Sequence, residues 1–262
     1  MLIRRDLPAR YREWNQQWHA PFGKAGRRLH DVRFPLGELA SRTIADLGMF
    51  CLQPNNDTRA LEYPWAYFAT ELTPPLRILE IGGGLGGFQF VLSREGHAVE
   101  NVDPGQERFE VPVTAESIAA VNRVFGTSVT LHACGIEDAQ LPPAAFDRIF
   151  SLSVLEHLPD AALRAAMDQA SRALKPGGLM VMTADLFLDL APFTRRETNR
   201  WGRNVPLKDL VDPVRFERIQ GEPAELYGFP EFDAQRVQAD LASFYIGRGY
   251  PALVQTMVLR RR

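Results

Sequence analysis

Apolar positions divide this chain of 262 residues into two regions with different periodicities. Over about the first seventy residues, large apolar side chains recur every three or four positions, as at Tyr11, Trp14 and Trp18 and again from Leu36 to Leu47. This spacing is typical of the buried face of an amphipathic helix. Prolines and glycines interrupt it repeatedly, so the region predicts several short helices.

From Leu76 onward, short apolar runs alternate with amphipathic stretches. The predicted strands are Leu76–Ile81, His97–Val102, Val129–Ala133, Phe146–Ser151, Leu179–Thr183 and Ala252–Leu259, with a further candidate at Phe216–Gln220. The predicted helices between them are Phe88–Ser93, Ala115–Val124 and Asp160–Leu174. Strands that alternate with helices predict an α/β fold with a mainly parallel sheet covered on both faces. Ligands bind such sheets beyond the carboxyl ends of the strands.

Composition narrows the class of partner. The net charge is −2, and nucleic-acid binders usually carry a basic excess, so a nucleic-acid partner is not expected. No stretch is long and apolar enough to predict a membrane span, and the start of the chain lacks the apolar segment of a signal peptide. The two cysteines, Cys51 and Cys134, are far apart and predict neither a disulfide framework nor a metal site. We therefore expect a cytoplasmic protein with a small-molecule ligand, and the oligomeric state stays open.

Five glycines in six positions follow the first predicted strand, in the stretch RILEIGGGLGGFQF. Gly82, Gly84 and Gly87 satisfy G-x-G-x-x-G, and Asp103 ends the next predicted strand. That combination is the dinucleotide fingerprint, which favours an NAD-dependent oxidoreductase. None of the tyrosines is followed by lysine at the Tyr-x-x-x-Lys spacing of a proton donor, which weakens this interpretation.

The same stretch also fits a second spacing, with Glu80, Gly82, Gly84 and Gly86 alternating. A carboxylate at the end of the strand repels a pyrophosphate and attracts an ammonium group. Asp103 has two acceptor oxygens, which match the two hydroxyl donors of a ribose. A ligand with a ribose and a cationic amino-acid end is S-adenosylmethionine.

Four segments in this order resemble the class I (Rossmann-like) S-adenosylmethionine-dependent methyltransferases: LEIGGGLG, VENVDPG, FDRIFSLSVLEHLPD and ALKPGGLMVMT. The resemblance implies a three-layer sandwich with a seven-stranded, mostly parallel sheet whose last strand is antiparallel. It also implies S-adenosylmethionine as cofactor and S-adenosylhomocysteine as product. The cofactor-binding residues that it implies are Glu80, Gly82, Gly84 and Gly86 at the methionine part, Asp103 at the ribose, Pro104, Gly135, Ile136 and Glu137 at the adenine, and Ser151 and Leu152, after the fourth strand, near the sulfur.

One position departs from the family pattern. Many members carry an aspartate after the third strand that accepts from the adenine amino group, and Gly135 stands there in this chain. Adenine recognition then falls to the backbone or, with a shift in register, to Glu137.

Two residues are candidates for the general base that a hydroxyl acceptor requires. His157 is a candidate because the unperturbed pKa of histidine lies near neutrality, although its Glu-His pair is also suited to bracing the following helix. Asp185 follows the fifth predicted strand, at the end of the sheet where ligands bind, and a helix-capping role is the alternative. No metal ligand set is expected.

The sequence suggests a helical N-terminal substrate lid over residues 1–72 and a cofactor-binding domain over residues 73–262, with an insertion at about 190–250. Arg59 is a candidate partner for the carboxylate of the cofactor's methionine. Candidate substrate-contacting residues are Tyr63, Trp65, Tyr67, Trp201 and Arg203. For Tyr63, Trp65 and Tyr67 the alternative is packing of a short helix against the sheet.

These observations predict transfer of a methyl group to an oxygen or nitrogen of a small molecule, with sugars and secondary metabolites as the leading classes. Two alternatives keep the same cofactor: an enzyme that uses it without transferring methyl, and a non-catalytic binding module. The oxidoreductase is the alternative in another enzyme class.

Overall fold

The structure is a computed structural model and describes residues 1–26, 44–53, 55–105 and 112–262. Within the helical pattern that begins at Leu36, residues 44–47 are helical, and the earlier part lies outside the described residues.

Seven strands form one sheet, as predicted. They are β1 (Arg77–Ile81), β2 (Ala98–Val102), β3 (Thr130–His132), β4 (Phe146–Leu152), β5 (Leu174–Phe187), β6 (Phe216–Gln220) and β7 (Ala252–Arg261), in the spatial order β3-β2-β1-β4-β5-β7-β6. The pairs β1–β2, β2–β3 and β4–β5 are parallel, and β7 is antiparallel to both β5 and β6. The predicted class I methyltransferase sheet is confirmed. β1 and β7 are buried along nearly their whole length, whereas the edge strands β3 and β6 are mostly partly buried or exposed.

Among the α-helices with defined bounds in the described residues, all but the last, Ala234–Ala239, correspond to predicted helical stretches. The helices are α1 (Ala9–Trp18), α2 (Arg59–Phe68), α3 (Gly87–Arg94), α4 (Ala115–Phe125), α5 (Asp160–Ala173) and α6 (Ala234–Ala239). The ends of α4 follow from its sequence. The Thr114 side chain accepts from the N–H of Ser117 at the start, and Gly126 ends the helix at a φ of 64°.

The chain divides into two compact units. One comprises residues Ala9–Gln140, and the other combines Met1–Pro8 with Leu141–Arg262. These units have other boundaries than the predicted lid, residues 1–72, and the predicted cofactor-binding domain, residues 73–262. The boundary and the roles of the lid and the domain stay predictions.

In the unit Ala9–Gln140, aromatic side chains attach the N-terminal helices to α3. The rings of Trp14 and Tyr63 lie 6.3 Å and 5.8 Å from the ring of Phe88 in α3. A Cβ placed on Gly87 would lie 2.6 Å from the Phe50 ring, so the close packing of this ring requires glycine at the start of α3. The helix that follows the glycine loop is thus held by the region before β1.

In the other unit, β5 is longer than the sequence predicted. It runs from Leu174 to Phe187 and includes the Lys-Pro-Gly-Gly segment that was expected to precede it. Pairing with β7 continues from Leu179 to Phe187, and this partner extends the strand past Thr183. Asp185 therefore lies within β5, and its predicted place after the strand was wrong.

In the parts of the chain that the structure describes, every helix is too short or too polar to cross a membrane.

Candidate functional site

The glycine loop between β1 and α3 is held by two buried amides. The Asn101 side chain accepts from the N–H of Gly83 (3.1 Å) and donates to the carbonyl of Gly84 (3.0 Å). The Gln89 amide donates to the carbonyls of Gly84 (3.0 Å) and Gly86 (3.3 Å). Sequence reasoning missed both amides. The signal was available, because a polar side chain inside an apolar strand or helix needs a specific partner.

Asp103 stands at the end of β2 and is bonded to the loop. Its Oδ2 accepts from the N–H of Gly84 (2.9 Å), and its Oδ1 accepts from the N–H of Gly105 (2.8 Å). Each carboxylate oxygen retains acceptor capacity after one such bond. The backbone therefore fixes the carboxylate and leaves it able to accept from a ligand.

Glu80 lies under the loop with its side chain buried. A Cβ on Gly83 would lie 2.9 Å from its carboxyl carbon, so the loop closes directly over the carboxyl group. Its Oε2 atom has no hydrogen-bond partner among the described residues. Burial raises the pKa of Glu80 to about 8, the charge of Arg59 lowers it in part, and Asp103 raises it further. A buried acceptor of this kind suits a ligand that brings a positively charged donor, so the residues present fit the amino-acid end of S-adenosylmethionine.

Arg59, at the start of α2, bonds to a neighbour within its own helix. Its guanidinium forms an ion pair of 2.7 Å with the buried carboxylate of Glu62. Its charge also reaches Glu80, whose pKa it lowers. The predicted contact with a cofactor carboxylate stays a prediction.

The three aromatic candidates of α2 contribute to packing. Tyr63 and Trp65 are buried in the core. The Tyr67 hydroxyl donates to Glu95, which directly follows the last residue of α3, at the end opposite the glycine loop. These contacts favour the packing alternative for Tyr67, and the substrate-contacting role of all three stays a prediction.

The segment after β3 forms a turn in which the N–H of Asp138 donates to the carbonyl of Gly135 (3.1 Å). A Cβ on Gly135 would lie 2.7 Å from the carboxylate of Glu137, so the missing side chain makes room for that carboxylate. Ile136 is buried, while Glu137 and, after β2, Pro104 are exposed. The adenine contacts expected of these residues stay predictions.

Two further cofactor candidates belong to the second compact unit. Ser151 and Leu152 are buried and form the last two residues of β4. The predicted strand Phe146–Ser151 already contained Ser151, so the predicted place after the strand was wrong for Leu152. The strand continues because both residues pair with β5, Ser151 with Met182 and Leu152 with Thr183. The Ser151 hydroxyl has no hydrogen-bond partner within the described part of the chain.

The two candidate bases have different surroundings. His157 is exposed at the end of the short helix Leu155–His157. Asp185 is buried, and its Oδ2 accepts from the Tyr250 hydroxyl at 2.5 Å. The backbone N–H of Asp185 donates to the buried carboxylate of Glu156 (3.3 Å). Sequence reasoning missed Tyr250, and no local pattern indicates a partner 65 positions from Asp185.

The region after β5 packs against Tyr250, the hydrogen-bond partner of Asp185. The Trp201 ring stacks on Phe187 (6.3 Å between centroids) and meets Tyr250 edge-on (5.0 Å). The Asn204 amide bonds to the backbone N–H (2.6 Å) and carbonyl (2.9 Å) of Phe187. Arg203 forms an ion pair with Asp160. Trp201 is thus placed beside Tyr250, whereas Arg203 braces the start of α5.

A model of the methyltransferase domain family matches residues 39–222, which is more than half of the chain. The chain belongs to this family. The resemblance to class I S-adenosylmethionine-dependent methyltransferases, predicted from the four motifs, is confirmed.

Among curated relatives, a ubiquinone biosynthesis O-methyltransferase of Pectobacterium carotovorum is 28% identical over 55% of this chain and 65% of its own length. The chain thus spans less than two thirds of that relative.

Two solved structures share the fold. The [4+2]-cyclase SpnF is 19% identical, with a TM-score of 0.55 over 78% of this chain and 81% of its own. The 1,6-didemethyltoxoflavin-N1-methyltransferase of Burkholderia thailandensis is 17% identical, with a TM-score of 0.50 over 99% and 94%.

Proposed function

We propose that this protein transfers a methyl group from S-adenosylmethionine to an oxygen or nitrogen of a small molecule. The observation that carries the proposal is the acceptor-rich end of β1 and β2, where Glu80 and Asp103 are fixed around the glycine loop. This arrangement suits a ribose and a cationic amino-acid end and is unfavourable for a pyrophosphate. Family membership supports the same cofactor.

The chain's residues have separate roles in this proposal. Asp103 accepts from the ribose hydroxyls, and Glu80 faces the amino-acid end together with the loop Gly82–Gly86. The residues assigned to the adenine are Pro104, Gly135, Ile136 and Glu137, and those assigned to the sulfur are Ser151 and Leu152. The cofactor, when bound, supplies an activated methyl group, so the protein chiefly aligns the acceptor and excludes water.

An oxygen acceptor is the first choice within this proposal. The curated relative is named an O-methyltransferase. A hydroxyl acceptor has a proton to lose, and Asp185 is a carboxylate that Tyr250 holds in one orientation. Sugars and secondary metabolites are the proposed acceptor classes, and Trp201 is a proposed wall for their apolar face.

The cofactor can be tested without knowledge of the acceptor. We expect calorimetric titration of the purified protein to show binding of S-adenosylmethionine and S-adenosylhomocysteine and no heat with NADH. Binding of NADH alone would overturn the methyltransferase proposal and support the oxidoreductase.

Asp185→Asn is expected to lower kcat by about 100-fold to 10,000-fold, because general bases contribute rate factors of that order. The amide keeps the shape of the side chain and loses its ability to take a proton. The measurement is release of S-adenosylhomocysteine in the presence of an acceptor found by screening hydroxylated small molecules. S-adenosylhomocysteine affinity should stay within about twofold of wild type, since Asp185 is assigned to the acceptor.

His157→Gln is the matched comparison for that experiment. We expect it to leave kcat within about threefold of wild type, because His157 is exposed at the end of a short helix. The reverse result, a large loss with His157→Gln and a small loss with Asp185→Asn, would assign the base to His157.

A further inference from the structure

The side chain of Gln53 lies against the glycine loop. A Cβ on Gly84 would lie 2.6 Å from its Oε1, and a Cβ on Gly86 would lie 3.0 Å from its Nε2. The amide therefore lies directly against the backbone of both glycines. Gln53 comes from the segment before α2, outside the motifs that mark the cofactor site, and sequence analysis did not select it.

The Gln53 amide has a buried, hydrogen-bonded neighbour in Tyr63. Burial raises the pKa of Tyr63 to about 12, and the Gln53 amide beside it lowers that pKa in part. The Tyr63 hydroxyl donates to Asn55 Oδ1 (3.0 Å), and the Asn55 amide donates to the carbonyl of Pro21 (2.7 Å). Tyr63 and Asn55 are both buried. The Oε1 atom of Gln53 lies toward Gly84, and its Nε2 atom lies toward Gly86.

That oxygen joins two carboxylates around the same loop. The Cβ position of Gly84 that lies 2.6 Å from Gln53 Oε1 lies 3.9 Å from Asp103 Oδ2. The Glu80 carboxyl is buried under Gly83, with its Oε2 unpartnered among the described residues. Asp103 is assigned to the ribose, which leaves the Gln53 oxygen and the Glu80 carboxyl group for the amino-acid end. An ammonium group has three donors, so it can bond to acceptors from more than one residue.

We propose that Gln53 is a cofactor-binding residue whose Oε1 accepts from the ammonium group of the cofactor's amino-acid end. This inference rests on the proposed function and assigns a residue of the N-terminal region to the methionine part of the site. It also gives the position of Oε1 toward Gly84 a role, because a rotated amide would present its N–H groups to a cation.

Two ligands separate this contact from the rest of the site. S-adenosylhomocysteine carries the amino-acid end, and 5′-methylthioadenosine keeps the adenine, ribose and sulfur but lacks that end. In calorimetric titrations, Gln53→Leu should lower the affinity for S-adenosylhomocysteine about tenfold, which is the usual effect of losing one hydrogen bond to a charged group. Its affinity for 5′-methylthioadenosine should stay within about twofold of wild type.

Gln53→Glu tests which group Gln53 contacts. The carboxylate keeps the acceptor and adds a negative charge, so an ammonium partner predicts affinity for S-adenosylhomocysteine equal to or above that of wild type. If Gln53 instead donated to the cofactor's carboxylate, this variant would lose at least as much affinity as Gln53→Leu, and the proposal would be wrong. Gln16→Leu, the same chemical change at an exposed position of α1, is the control and should change neither affinity.

Equal effects of Gln53→Leu on both ligands, or no effect on either, would also overturn the proposal. Failure of the wild-type protein to bind S-adenosylhomocysteine is a different result. It would contradict the proposed function itself and remove the basis of this inference with it.

Discussion

Asp103→Ala is expected to lower the affinity for S-adenosylhomocysteine by about 100-fold or more. The change removes the acceptors proposed for two ribose hydroxyls, and hydrogen bonds to a charged group contribute about 1.5–3 kcal/mol each. It also leaves the N–H groups of Gly84 and Gly105 without their carboxylate partner. Calorimetric titration of the variant and the wild-type protein measures the loss.

Asp46→Ala is the control for this substitution. Asp46 is exposed and belongs to the same compact unit, so its removal should leave the affinity unchanged. Asp103→Asn keeps one acceptor oxygen, so its affinity for S-adenosylhomocysteine should lie between that of the wild-type protein and that of the alanine variant. If Asp103→Ala bound S-adenosylhomocysteine as tightly as wild type while remaining folded, the ribose assignment would be wrong.

Glu80→Gln is expected to change how the stability of the ligand-free protein depends on pH. Burial raises the pKa of Glu80 from 4.5 to about 8 in the folded protein. Between these values the folded protein keeps a proton that the unfolded chain has lost. The free energy of unfolding therefore falls as pH rises through this window. Glutamine resembles the neutral carboxyl group and removes this dependence.

The size of the effect follows from the shift in pKa. One pKa unit corresponds to about 1.4 kcal/mol. Between about pH 5 and about pH 9, the free energy of unfolding of Glu80→Gln should therefore rise relative to that of wild type by on the order of 4 kcal/mol. Urea unfolding at the two pH values measures it. Glu13→Gln, an exposed position on α1, is the control and should follow the wild-type dependence. Parallel wild-type and Glu80→Gln curves would show that Glu80 ionises normally in the folded state.

The same carboxyl group links stability to ligand binding. An ammonium group favours the ionised form of Glu80, so binding of S-adenosylhomocysteine should release a proton and tighten as pH rises toward about 8. Glu80→Gln should bind more weakly and lose this dependence.

Much of the fold followed from local patterns. Apolar runs predicted most of the strands, because residues inside a covered parallel sheet are buried on both faces. The positions of Glu80 and Asp103 followed from the same reasoning, since the carboxyl ends of neighbouring parallel strands lie together and both residues occupy such ends. The four ordered motifs were sufficient to predict the family.

Long-range contacts were not predictable from those patterns. The extension of β5 to Phe187 depends on its pairing with β7 at nine positions. β7 begins only at Ala252, far along the chain from Phe187. Pairing of this kind joins backbone groups and has no local signature. It placed Asp185 inside a strand, where a loop had been expected.

Most of the polar partners of the site were also not predictable from local patterns, because they too depend on long-range contacts. Asn101 and Gln89 bond to loop carbonyls and N–H groups, Tyr250 bonds to Asp185, and Gln53 lies against Gly84. The sequence by itself was sufficient to predict the fold class, the family and the two carboxylates at the glycine loop, because these depend on periodicity and short motifs. Folding brought the other side chains to these groups, since a buried polar atom finds its hydrogen-bond partner by proximity in space, whatever the separation along the chain.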